Sequence, residues 1–189
     1  MMPTLRLFVA VDPAPAVRVA LRAAIARVRP LAPRARWVAP GVSHVTLAFL
    51  GDTAAETVPA LVLALGAAAR GLTPIDARFA GAGTFGGASP RVLWVGLTEG
   101  AAALGAVHRA LCAALAPLGF TPERAALTPH LTLARAGGRG GEPALALCAE
   151  ALAGEDFGVT HLDAMVLYES AQGPAGSTYT ALATLPFGG

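Results

Sequence analysis

The feature that most constrains this chain is a short pattern that occurs twice. Ser43-His44-Val45-Thr46-Leu47-Ala48-Phe49-Leu50-Gly51 alternates Val45, Leu47 and Phe49 with His44, Thr46 and Ala48. That is the period-two signature of a β-strand with one face in a core. An imidazole and a hydroxyl then project together from the other face, roughly 6–7 Å apart along the strand. Pro129-His130-Leu131-Thr132-Leu133-Ala134-Arg135 repeats His-x-Thr-Leu-Ala about half a chain later. One His-x-Thr is common. Two copies, each on a strand, argue for a duplicated module that faces both histidines across one cleft.

Composition narrows the chemistry. The 189 residues are 54% hydrophobic, enough for a sizeable core and too apolar for disorder. Net charge is +2 and only 14% of residues are charged, which argues against a protein that coats nucleic acid. Every basic residue is arginine and lysine is absent. A phosphate-loop lysine, a Schiff-base lysine and an adenylate-carrying lysine are thereby excluded. Cys112 and Cys148 lie in Ala/Leu-rich segments outside any CxxC pair and read as buried free thiols. The apolar run Val58 to Ala69 ends at Arg70, well short of the ~20 residues a membrane span needs. With only Leu5 and Leu7–Val11 apolar near the start, no signal peptide is expected. The expected location is the cytoplasm, without membrane association.

In chain order, Leu5–Val11 predicts a strand and Pro15 opens a helix running to about Val28, with Val17, Leu21, Ile25 and Val28 as its apolar stripe. Ala35–Val38 predicts a short strand before the first motif strand. Ala54–Arg70 predicts a helix capped by Thr53. Ile75–Phe85 and Arg91–Leu97 predict strands around a Gly/Ser/Pro loop, with Trp94 central. The second half reuses this order: a helix over Gly100–Leu118, a connector over 122–128, and the motif strand His130–Ala134. A glycine-rich loop over 137–141 and a helix over Pro143–Leu152 come next. Strands over Val159–Tyr168 and Ser177–Leu185 follow, joined by a turn at 172–176. No compositional break marks a linker, so residues 1–189 read as one bilobal domain, expected as a monomer.

Paired histidines suit displacement at phosphorus. One imidazole starts neutral and takes a proton from the incoming oxygen, and the other starts charged and protonates the leaving oxygen. Thr46, Thr132 and an arginine would hold the non-bridging oxygens. Arg135 is the natural candidate, but strict alternation turns it away from His130, so a bulge is required near the end of that strand.

These motifs resemble the two-histidine phosphoesterase superfamily, and more narrowly its LigT-like RNA 2′,3′-cyclic phosphodiesterases, also called the 2′-5′ RNA ligase family. Arg6–Ala10, Arg36-Trp37-Val38, Pro90–Leu97, Leu167–Ser170 and Gly176–Thr180 share in the resemblance, which covers nearly the whole chain. It implies an α+β fold made of a duplicated βαβαβ module, with antiparallel sheets lining a central cleft and helices outside. It also implies hydrolysis of RNA 2′,3′-cyclic phosphate ends, or of small cyclic nucleotides, to 2′-phosphomonoesters without metal or cofactor. His44 matches the family's proton donor to the 3′ oxygen and His130 the base that activates water. Thr46, Thr132 and Arg135 match its phosphate-binding groups. Where the family often carries Phe-Pro, this chain has Phe85-Gly86.

Competing readings remain at single residues and for the whole. A zinc site needs three or four ligands, and the motifs supply two histidines. His108, beside Arg109, reads as a solvated helix face, and His161, near Asp163, as structural. Phe49 reads as core packing, with base stacking as the alternative. Arg6 and Arg36 could contact phosphate or form salt bridges. End joining through a 2′-5′ bond is the reverse reaction at the same site. A non-enzymatic RNA-end binder would need an extended basic or aromatic surface, whereas aromatic residues make up only 6% of the chain.

Overall fold

The computed structural model describes residues 3–121, 126–173 and 176–188. Parts of the expected connector over 122–128 and of the turn at 172–176 lie outside them. Among the described residues, nine strands and four α-helices follow in order: β1 (Thr4–Val11), α1 (Pro15–Val28), β2 (Arg36–Trp37), β3 (Val45–Ala54), α2 (Val58–Arg70), β4 (Ile75–Phe85) and β5 (Val92–Glu99) come first. Then come α3 (Ala101–Leu115), β6 (Leu131–Arg135), α4 (Ala144–Leu152), β7 (Asp156–Leu162), β8 (Ala164–Gly173) and β9 (Gly176–Pro186). They form two antiparallel sheets, one in the order β3-β1-β8-β9 and one in the order β2-β6-β5-β4-β7. The α+β class and the paired antiparallel sheets are as the motifs imply.

The two sheets do not correspond to the two halves of the sequence. Strand β4, from the first half, pairs with β5 and β7, while β8, from the second half, pairs with β1. The expected strand over Val159–Tyr168 is therefore two strands. It breaks at Asp163, sending β7 to the five-stranded sheet and β8 to the four-stranded one. The charged Asp163 marks the break, but side-chain patterning alone does not say which sheet a strand joins.

Helices cover the outer faces. α1 and α4 pack on the five-stranded sheet and α2 on the four-stranded sheet, while α3 packs against strands of both. α1 is N-terminated by Pro15, whose missing N–H costs nothing in a first turn. Its stripe of Val17, Leu21, Ile25 and Val28 is buried as its spacing predicts, each side chain contributing about 1.5–3 kcal/mol. α2 starts later than expected: β3 runs on to Ala54, and a 3₁₀ turn over Ala55–Thr57 intervenes. Thr53 is thus a buried strand residue whose hydroxyl donates to the Gly51 carbonyl, not a cap. Both cysteines are free; Cys148 is buried and Cys112 partly so. Residues Ala101–Leu118 form a stretch long and apolar enough to cross a membrane, with a mean hydropathy of 1.5. Its stripe of Leu104, Val107, Leu111 and Leu115 is buried.

Candidate active site

Each motif histidine is the residue just before its strand, β3 or β6. His44 Nδ1 lies 2.9 Å from the Val42 carbonyl oxygen, and His130 Nδ1 lies 2.7 Å from that of Thr128. A carbonyl oxygen can only accept, so in both rings Nδ1 carries the hydrogen. Proton exchange with a ligand then runs through Nε2, the same nitrogen in both copies.

The bulge required by Arg135 is present. Leu93 pairs with Ala134 and Trp94 with Thr132, so Leu133 is an extra residue on β6. One extra residue reverses the alternation beyond it, and Arg135 joins Thr132 and His130 on the cleft. β3 does the same at the matching position: Val9 pairs with Ala48 and Ala10 with Thr46, leaving Leu47 unpaired. Phe49 is thereby turned out of the core and is 51% exposed. Simple alternation placed it in the core because a bulge is invisible to periodicity.

His44, His130, Thr46, Thr132 and Arg135 all line one cleft between the sheets, with a cavity volume of about 430 Å³. Arg6 and Phe49 also line it. Arg36 does not take part: its guanidinium reaches the Ala136 carbonyl at 3.4 Å. A second cavity of about 340 Å³ adjoins the cleft and shares Thr46, Phe49, His130 and Arg135 with it. Phe85, Arg91, Leu127 and His108 extend its wall. Among the described residues lining the two cavities there is no carboxylate. The polar lining is imidazoles, hydroxyls, an amide and guanidinium groups, which suits an anion.

Aromatic rings frame each histidine. Phe8 lies 4.8 Å from His44 between ring centroids, and Tyr179 meets His44 edge-on at 5.0 Å. Phe85 meets His130 edge-on at 4.9 Å, with Trp94 at 6.5 Å. The Trp94 indole lies so close over Gly83 that a Cβ there would collide with it. Ser170 and Gln172 on β8, and Ser177 and Tyr179 on β9, complete the cleft wall. Sequence reading missed these four, although their i, i+2 spacing on adjoining strands was the available signal.

Burial is the main reason that the His44 pKa lies below its ordinary value of 6.5. The Val42 carbonyl and Asp12 pull it up, while Arg18 and Arg135 push it further down. Asp12 is itself held by the Tyr168 hydroxyl at 2.6 Å and by Arg18 at 3.2 Å. Asp12→Asn removes a negative charge that favours the imidazolium, so the His44 midpoint should fall further. Titration of the His44 ring protons by NMR reads this directly; an unmoved midpoint would show that Asp12 is screened from the ring.

Of the two other histidines, His108 differs from its sequence reading and His161 keeps the structural role expected of it. His108 is not on a solvated face: it is 7% exposed and Nδ1 donates to the Leu47 carbonyl at 2.7 Å. His161 pairs across strands with Asp76 at 2.7 Å, well away from the cleft lining.

A family model described as the 2′-5′ RNA ligase superfamily matches residues 9–173. An RNA 2′,3′-cyclic phosphodiesterase of Geobacillus stearothermophilus is 40% identical over 100 residues, covering 52% of this chain and 32% of that protein. One of Aquifex aeolicus is 31% identical over 102 residues, covering 53% of this chain and 54% of that protein. The matched region thus spans about a third and about half of these two relatives. Over the full fold, E. coli LigT complexed with 3′-AMP superposes with a TM-score of 0.79 at 27% identity, covering 98% of this chain and 99% of that one. With the match running from β1 through β8 and both motif strands inside it, this chain belongs to the 2′-5′ RNA ligase superfamily.

Proposed function

We propose that this chain hydrolyses RNA 2′,3′-cyclic phosphate ends to 2′-phosphomonoesters, with the two motif histidines as acid and base and without a metal ion. One observation carries the reading: both His-Thr pairs and Arg135 line a single cleft, and the two rings are held by matching Nδ1–carbonyl bonds. His130 Nε2 takes a proton from water as its oxygen bonds to phosphorus. The bond from phosphorus to O3′ breaks, and His44 Nε2–H delivers the proton to that oxygen. Thr46, Thr132 and Arg135 donate to the non-bridging oxygens as charge builds on them. The names of the two curated relatives support this substrate class. The adjoining cavity supports a ligand larger than phosphate.

The lowered His44 pKa has a consequence for an acid. In the free protein His44 loses its proton below its ordinary value, so kcat/KM should decline with rising pH through a midpoint under 6.5. A bound phosphodiester anion favours the imidazolium, so the matching limb of kcat should lie higher.

The direct test is product analysis on an oligonucleotide ending in a 2′,3′-cyclic phosphate, with EDTA present throughout. The expected product is the 2′-phosphate alone. Activity that vanishes in EDTA and returns with zinc or manganese would overturn the metal-independent reading, and a 3′-phosphate product would reverse the leaving group. Ligated 2′-5′ product, formed by the same displacement with a 5′-hydroxyl in place of water, is read in the same assay by adding a 5′-hydroxyl acceptor.

A further inference from the structure

The Leu47 carbonyl sits at a bulge on the edge strand of its sheet. Leu47 is the extra residue of the β3 bulge, without a partner opposite it on β1, and β3 is the outermost strand of its sheet. A carbonyl in that position has no ladder to join. At the matching bulge on β6, the Leu133 carbonyl accepts from the Val38 N–H at 2.8 Å, because the short strand β2 runs alongside. Among the described residues, the four-stranded sheet has no such strand beside β3. Helix α3 crosses it instead and brings His108, whose Nδ1–H reaches Leu47 at 2.7 Å. Cys112, one turn along α3, packs against the same imidazole at 3.6 Å and 3.8 Å from its nitrogens.

We propose that His108 is a positioning residue for the cleft. By holding the Leu47 bulge it keeps Phe49 facing the ligand beside Thr46, the place that Arg135 takes in the second motif. Three observations support this. The imidazole is 7% exposed and bonded to the bulge, not to solvent. Phe49, two residues beyond the bulge, lines both cavities. The pseudo-equivalent carbonyl is satisfied by a different group, so His108 stands in for a missing strand. Phe49 lines both cavities but has no donor to offer phosphate oxygens, so loss of His108 should act on KM more than on kcat.

The test combines His108→Leu, which removes the donor at similar volume, with His108→Asn, whose amide nitrogen falls near the place of Nδ1. With a nucleoside 2′,3′-cyclic phosphate as substrate, His108→Leu should raise KM about tenfold and His108→Asn should recover most of it. In a Phe49→Ala background, His108→Leu should add less than about twofold, because residues acting through one another are not additive. The kinetic arm rests on the cyclic phosphodiesterase reading. A second arm does not: para-fluorophenylalanine at position 49 should show a ¹⁹F resonance that moves in His108→Leu and returns in His108→Asn. If His108→Leu does not fold, His108→Gln, which carries the amide beyond the Nδ1 position, replaces it. An unmoved resonance, or an undiminished loss in the Phe49→Ala background, overturns the proposal. A wild-type protein inactive on cyclic phosphates overturns the functional reading instead, and leaves the fluorine arm to decide this one.

Discussion

His44→Ala and His130→Ala should each lower hydrolysis of a nucleoside 2′,3′-cyclic phosphate by about 10²–10⁴-fold, the usual loss when a general acid or base is removed. The two losses should respond differently to the leaving group. An aryl phosphodiester, whose phenolate departs without a proton, dispenses with the acid but still needs a base on water. His44→Ala should therefore recover much of its rate on such a substrate, and His130→Ala should not. Both variants keep the strand that follows them, because the histidines stand just outside β3 and β6. Far-ultraviolet circular dichroism checks that the fold is kept. Steady-state rates of both variants on both substrates then decide the roles. Equal recovery would mean that the two imidazoles share the work, and recovery of His130→Ala alone would exchange them.

Arg135→Ala should cost about 10²–10³-fold in kcat, in the range found when a donor to a developing oxyanion is lost. Arg135→Lys should restore only a minor part. A guanidinium can hold two phosphate oxygens in one plane, whereas an ammonium offers a point charge. The position of Arg135 also bears on His44, whose pKa the guanidinium pushes down. In Arg135→Ala the His44 midpoint should therefore rise, and Arg135→Lys should keep it low. Kinetics and an NMR titration of His44 thus separate two jobs of one residue. Full activity in the lysine variant would leave charge as the only requirement.

Much of the site was legible because its residues recur in a local pattern. His44 with Thr46, and His130 with Thr132, are two apart, each histidine just before the strand that carries its threonine, and both members of each pair line the cleft. Arg135 was legible only on the condition of a bulge, which β6 contains at Leu133. Phe49 was misplaced because the matching bulge on β3 was not applied to it. His108 looked solvated because its neighbours in sequence are an arginine and small residues. Its bond to Leu47 spans 61 positions of the chain, and no local window contains both groups.

The sequence by itself determined the apolar stripes, the strand character of both motifs and the pairing of two imidazoles with two hydroxyls. These depend on side-chain chemistry at short spacing, and short spacing is fixed by the backbone repeat. It also set limits through what it lacks, since a chain without lysine has no lysine chemistry. Only the tertiary structure decided which strands share a sheet, where the two bulges fall and which group satisfies each bulged carbonyl. Those outcomes are set by hydrogen-bond partners distant in the chain. Shifting register by one residue turns every following side chain to the other face, so Arg135 and Phe49 reach the cleft through pairings that β5 and β1 impose.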